Sequence, residues 1–319
     1  MSVNVTLKPL ESSDNLQAVV DLMNTHFIEP VTLEAWLRDQ EQELAKGDIL
    51  RQVLAVDANG RIAGYQEVKR EYGTWDPGRL NLWLIVAPDA RNQGIGTRLY
   101  EDGMSFVQER SANKLDTEVS DDDAVSLVFA ERRGFYMDLH TYGFRLDVPA
   151  FDEAPFAGAV EAAEATGIRF FSMSDLGNTL DAQRKLYELN KYIDGEVPGE
   201  RLFPSLAEFS ELVFASGWYV PDGQIIAADG DRWVGMSAVG YFPDKDLMRV
   251  MVTGVDSDYR GRGIGLALKL LTHRVAKQYR VKHLVTGNAS HNAPMLAINT
   301  KLGYTKLRGT YHLLKALGQ

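Results

Sequence analysis

Two stretches of the sequence place residue types suited to phosphate binding at matching spacing. In "VDSDYRGRGIGLALKLL", Arg260, Gly261, Arg262, Gly263, Ile264 and Gly265 stand directly ahead of an apolar helical run. In "VAPDARNQGIGTRLYED", Arg91, Asn92, Gln93, Gly94, Ile95 and Gly96 repeat that layout. A turn from a strand into a helix collects backbone N–H groups that lack intrahelical partners, and the helix dipole adds partial positive charge there. Glycines permit positive φ and remove Cβ atoms, so successive amides can converge on one anion. The expected ligand is a pyrophosphate gripped by main-chain amides, with Arg260 or Arg262 adding charge. One short Gly motif reads as readily as a flexible turn; two in register favour the anion site. The spacing lacks the Gly-Lys-Ser/Thr of a nucleotide P-loop. No acidic residue closes a neighbouring strand as a dinucleotide fold wants.

The elements that must hold these turns also come in pairs. Sliding the chain by 169 positions aligns Val86 with Val255, Arg91 with Arg260, Gly94 with Gly263 and Gly96 with Gly265. The same offset aligns Leu115 with Leu284, Thr117 with Thr286 and Gly134 with Gly303. One register held over about fifty residues marks two copies of one domain. Upstream, "VLAVDANGRIAGYQEV" and "IIAADGDRWVGMSAV" each read as strand, turn, strand. Ser12, Ser13 and Asp14 offer N-caps ahead of one helix, and Asn178 and Thr179 ahead of its counterpart. Each copy reads strand, two helices, strand meander, Gly turn, helix, strand, helix, strand, which makes an α/β chain. Between them, "VPAFDEAPFAGAVEAAEATG" has the composition of a linker with a short helix. The expected divisions are residues 1–149, a linker at 150–165, and residues 166–319.

The segments "VAPDARNQGIGTRL" and "VDSDYRGRGIGLAL" resemble the acyl-CoA-binding motif of the GNAT superfamily of N-acyltransferases, Arg/Gln-x-x-Gly-x-Gly/Ala. The later segments "FAERRGF" and "NAPMLAINTKLGY" are similar to that superfamily's closing helix-to-strand stretch. The tandem arrangement is similar to that of the mycothiol synthases and related acetyltransferases. The resemblance implies two GNAT-like domains, each a mostly antiparallel twisted sheet flanked by helices. It implies acetyl-CoA as acyl donor, with coenzyme A held by the backbone amides of residues 93–96 and 262–265. Val86 and Val255, which end the preceding strands, join those expected contacts. It also implies a splay between the fourth and fifth strands that admits the pantetheine arm.

Amide formation from a thioester needs a neutral amine placed against the carbonyl and a proton for the departing sulfur. Many members of the superfamily supply that proton from a Tyr four residues before the Gly of the closing Gly-Phe. Asn299 and Ala130 occupy that position here, and only Asn299 can hydrogen-bond a thiolate or the cofactor. A carboxylate nine residues before the motif Arg is also replaced, by Leu82 and Met251. Gly254 in the second copy permits a bulge or a close approach by pantetheine, where the first copy has Ile85. Asn288 and Asn292 match amide-bearing positions that the first copy fills with Val119 and Asp123. They read as pantetheine ligands, or as caps and turn residues of the last helix. These contrasts point to the second copy as the catalytic one.

The remaining composition sets limits. A net charge of −10 weighs against nucleic acid and anionic membranes as partners. No apolar run reaches bilayer length, and the first residues lack a secretory signal, which suits the cytoplasm. Cysteine is absent and the six histidines show no ligand spacing, so no metal is expected. His291, Glu67, Tyr241 and the loop acids Asp194, Glu196 and Glu200 suit an acceptor pocket but read more simply as surface or sheet residues. Trp218, Tyr219 and Trp233 read as core aromatics. The expected activity is transfer of an acetyl group to the amine of a small molecule by a monomer or homodimer. The alternatives are a non-catalytic acyl-CoA-binding regulatory module and an aminoacyl-tRNA-dependent ligase, the latter disfavoured by the acidic charge.

Overall fold

The structure is a computed structural model that describes residues 5–27, 30–46, 49–70, 78–195 and 203–318. The chain forms two compact units: residues 1–140 with 310–319, and residues 141–309. Unit 1 begins with β1 (Val5–Pro9), α1 (Leu16–Asn24) and α2 (Leu33–Lys46). The meander β2 (Ile49–Asp57), β3 (Ile62–Arg70) and β4 (Arg79–Val86) follows. Then come α3 (Ile95–Glu109), β5 (Lys114–Ser120) and α4 (Ala124–Glu131). The chain enters unit 2 within β6 (Tyr136–Asp147) and continues through α5 (Ala159–Glu164), β7 (Ile168–Ser172), α6 (Leu180–Gly195) and the short α7 (Leu206–Phe209). Next are β8 (Tyr219–Asp229), β9 (Arg232–Phe242), β10 (Leu247–Val255), α8 (Ile264–Gln278), β11 (His283–Ala289) and α9 (Ala293–Lys301). The chain returns to unit 1 within β12 (Thr305–Ala316).

In unit 1 the strands run in the order β1-β2-β3-β4-β5-β12, and in unit 2 β7-β8-β9-β10-β11-β6. Neighbours are antiparallel except β4 with β5 and β10 with β11, which are parallel. Each sheet is therefore closed by the last strand of the other repeat. Residues 310–316 pair with β5 and residues 141–147 with β11. This differs from a division at 150–165. Alternation along β6 and β12 specifies which face is buried but not which neighbour is paired, so the exchange leaves no mark on the pattern.

The segment expected to be a linker is part of unit 2. Val160 and Ala163 of α5 are buried beside Ala267, Leu270 and Val281 in its core. The helix caps follow local chemistry. Asn15, rather than Ser12, Ser13 or Asp14, caps α1, its Oδ1 accepting from Ala18 N at 3.2 Å. Asp14 is taken instead by the Lys8 ammonium and Glu11 N. At α6, Thr179 Oγ1 accepts from Ala182 N at 3.3 Å.

Candidate active site

Both Gly turns adopt one backbone path. Gly94 (φ 84) and Gly263 (φ 78) sit in the left-handed region as the N-caps of α3 and α8. Asn92 (φ 61) and Gly261 (φ 79) take the same conformation two residues earlier. Asn tolerates it better than other side chains, which explains why the first copy manages with one glycine fewer. Arg98 N donates to Gly94 O at 3.1 Å and Ala267 N to Gly263 O at 3.0 Å, so each helical ladder starts there. The N–H groups of Ile95, Gly96 and Thr97, and of Ile264, Gly265 and Leu266, precede it and have no intrahelical acceptor. Gly96 and Gly265 lie inside the first turn, where a Cβ would meet Phe129 at 3.4 Å and Ile298 at 3.5 Å. Both distances are ordinary van der Waals contacts and neither residue has positive φ, so the fold itself does not demand glycine here.

The motif side chains brace the turns. Arg91 Nε donates to Val86 O at 3.4 Å and Arg260 Nε to Val255 O at 3.1 Å. Gln93 Nε2 donates to Asp89 O, and Arg262 Nη2 to Asp258 O, each at 3.2 Å. The Arg262 guanidinium also lies 4.5 Å from the Tyr259 ring centre. Main-chain amides, not these side chains, are left facing the cradle.

Beyond the cradle the parallel strands separate. Pairing of β4 with β5 ends at Asn81 and Asp116, and that of β10 with β11 at Arg249 and Val285. In unit 1 a cleft of about 320 Å³ opens there, within the usual range for small-molecule sites. It runs from Asn92, Gly94 and Gly96 past Ala130 to Trp83 and Glu118. Ala130 is 4% exposed and brings no polar atom to it. Val119, on β5, is equally apolar.

Unit 2 differs at the positions the sequence singled out. Asn299 is fully buried, and its Nδ2 donates to Asn288 Oδ1 at 2.6 Å, tying α9 to β11. Asn292 caps α9, its Oδ1 accepting from Met295 N at 3.3 Å. Asp123 does the same for α4 in unit 1, accepting from Ser126 N at 3.0 Å. The Asn-for-Asp contrast is therefore a change of cap at one position. A Cβ on Gly254 would lie 2.3 Å from Ile193 Cγ2 of α6, so that glycine accommodates a core side chain. The bulge falls instead between Val250 and Val252, and leaves Met251 exposed.

The other candidates separate by place. Glu67 is buried on β3, accepting from Tyr65 OH at 2.8 Å and Gln52 Nε2 at 2.9 Å. Tyr241 packs on Tyr279, and His291 is exposed. Tyr219 and Trp233 pack against Phe214 and Phe171. Glu196 and Glu200 lie outside the described residues. The sequence did not single out Glu118, His312, His26 or Trp83. Glu118 sits at the open end of the cleft with its side chain half-exposed, and His312 Nδ1 lies 3.0 Å from its Oε1. That contact holds the Glu118 carboxyl below the usual range, with Lys69 and His26 adding to the effect. His312 stands directly opposite Glu118 across the exchanged pairing of β5 with β12, which is why a linear reading does not join them.

A fold of two such units, each with a helix-start cradle over a strand splay, defines a tandem acyl-CoA-dependent transferase. The chain belongs to the acetyltransferase (GNAT) family, which matches residues 16–135 and 184–304. It is an N-acetyltransferase, of a family that uses acetyl-CoA as donor. The mycothiol acetyltransferase of Geodermatophilus obscurus is 26% identical over 285 residues, covering 88% of this chain and 86% of that relative. That of Actinosynnema mirum is 27% identical over 256 residues, covering 79% and 80%. Among solved structures, a GCN5-related N-acetyltransferase from Sphaerobacter thermophilus superposes with a TM-score of 0.76 at 19% identity, covering 98% of this chain and 95% of the other. A tandem GNAT protein from the clavulanic acid biosynthesis pathway gives 0.68 at 18% identity, covering 99% of each. Among the described residues no helix is long and apolar enough to cross a membrane.

Proposed function

We propose that the chain transfers an acetyl group from acetyl-CoA to the amine of a small molecule, with the donor seated in the cleft of unit 1. One observation carries this reading: the free amides at the start of α3 open directly onto an apolar cleft between β4 and β5. The donor's pyrophosphate lies against those amides and its pantetheine arm in the splay. The neutral amine nitrogen bonds to the acetyl carbon, the carbon–sulfur bond breaks, and the proton the nitrogen loses passes to the departing thiolate directly or through water. Ala130 offers none, so placement of the two reactants supplies most of the acceleration. The name of the mycothiol acetyltransferases supports a small molecule as acceptor.

A second reading keeps catalysis in unit 2, as the sequence suggested. The bulge at Met251 favours it, because a bulge leaves one residue of β10 out of the ladder beside the splay. Thiol release from acetyl-CoA, measured across a panel of primary amines, tests the activity itself. Turnover with at least one amine is expected; none across the panel overturns both readings.

A further inference from the structure

The cleft of unit 1 is polarised along its length. At one end lie the α3 amides and Arg91, whose guanidinium is held 3.7 Å from Asp123. This end suits the anionic donor. At the other end the lining changes to Glu118, Trp83 and His26. Phe27 stacks on Trp83 with ring centres 5.8 Å apart and planes 16° from parallel, and is itself 37% exposed. His26 lies 6.1 Å from the same indole. Lys69 lies 3.6 Å from both Glu43 and Glu67, and its charge also bears on Glu118.

Glu118 is placed with care. It faces the cleft from β5 and is paired in register with His312 on β12. A cross-strand contact of this kind fixes a carboxylate's direction without covering it. The half-exposed carboxylate beside an aromatic wall matches a primary ammonium on an apolar stem. The ammonium meets the charge and the stem meets Trp83 and Phe27.

We propose that this end of the cleft is the acceptor site, that it recognises a protonated primary amine through Glu118, and that His312 is the positioning residue behind it. The inference rests on the donor reading above and adds the acceptor's chemical class. The ammonium then sheds its proton to solvent through the open mouth before attack.

The test uses the whole chain saturated with coenzyme A, titrated calorimetrically with phenethylammonium chloride and with 2-phenylethanol, its neutral analogue. The ammonium is expected to bind about 10- to 100-fold tighter than the alcohol, the worth of one charge-assisted bond. Glu118→Gln removes that preference while coenzyme A affinity holds. Glu118→Asp keeps part of it, and His312→Gln falls between, with the melting temperature unchanged. A purely structural histidine would shift stability and leave the amine-to-alcohol ratio alone. An equal ratio in wild type and Glu118→Gln, or no ammonium binding by wild type, overturns the assignment. Failure of wild type to bind coenzyme A, with the Glu118-dependent ratio intact, supports this acceptor site and overturns the donor reading instead.

Discussion

Where α4 of unit 1 presents Ala130 to its strand splay, α9 of unit 2 carries Asn299, whose amide is tied to Asn288 on β11. The two units share a cradle, a parallel pair that parts, and a helix alongside. They differ in the side chains alongside. Unit 1 lines its cleft with Ala130 and Val119, with the Glu118 carboxylate further along; unit 2 carries the Asn299–Asn288 amide pair between helix and strand. Duplication has kept the backbone path of the cradle while the side chains beside the splay have diverged, apolar in unit 1 and amide-bearing in unit 2.

The sharpest way to break that comparison is at the cradles. Gly94 and Gly263 both have positive φ and open space where a Cβ would go. Valine at either pays about 1–3 kcal/mol of backbone strain and projects into the space over the amides. Gly94→Val is expected to lower kcat/KM for acetyl-CoA about 100-fold, the value of one or two amide bonds to a charged oxygen. Gly263→Val is expected to change it less than about 5-fold. Gly158→Val, at φ 81 and equally unobstructed ahead of α5, reports strain alone. A larger loss at Gly263 than at Gly94 moves catalysis to unit 2.

A second contrast lies beside the helices. Tyr100 of α3 accepts a bond from Lys315 Nζ at 2.7 Å. Its counterpart on α8 is Lys269, which is fully buried 5.2 Å from the Tyr304 ring and has no hydrogen-bond partner for Nζ among the described residues. Burial lowers its pKa from 10.5 to about 8. The unfolded chain therefore holds more protons between those values, and stability rises as pH increases through that window. Below it the full cost is present, on the order of 3 kcal/mol. Lys269→Met should recover most of that at pH 7 and flatten the rise between pH 7 and 10, read by urea denaturation. An unchanged slope shows that Lys269 finds solvent when charged.

Much of this was legible in the sequence, for a physical reason. Cradle and repeat depend on local chemistry: glycine at positive φ, a helix start, alternation along strands; the splay was implied by the family resemblance. What stayed hidden depends on distant partners. Gly254 looked like room for pantetheine, yet its space belongs to Ile193, sixty-one residues away on α6. Asn292 read as a ligand or a cap, and its Oδ1 caps α9. Glu118 drew no reading from the sequence, because its partner His312 arrives by an exchange that alternation cannot encode.

The Gly254 contact makes a smaller prediction. Unit 1 puts bulk on the strand at Ile85, and unit 2 puts it on the helix at Ile193. Gly254→Ala should destabilise by about 1–3 kcal/mol through overpacking, and adding Ile193→Ala should return part of the loss. Additive losses in the double variant would show that the two side chains do not share that space.

The least effect is expected at the amide tie, and it bears most directly on which unit works. Asn299→Ala leaves Asn288 Oδ1 without its donor, at a cost of about 1–2 kcal/mol in stability. Asn299 Oδ1 already lacks a partner among the described residues, so removing it also relieves one buried acceptor and keeps the net loss at the lower end. If Asn299 only closes unit 2, kcat stays within about 3-fold of wild type, since no reacting group is touched. If it donates to the departing sulfur, kcat falls by about 100-fold or more with KM for acetyl-CoA little changed. The split between kcat and stability separates the two, because a hydrogen bond that merely seals a helix onto a strand cannot alter the first without the second.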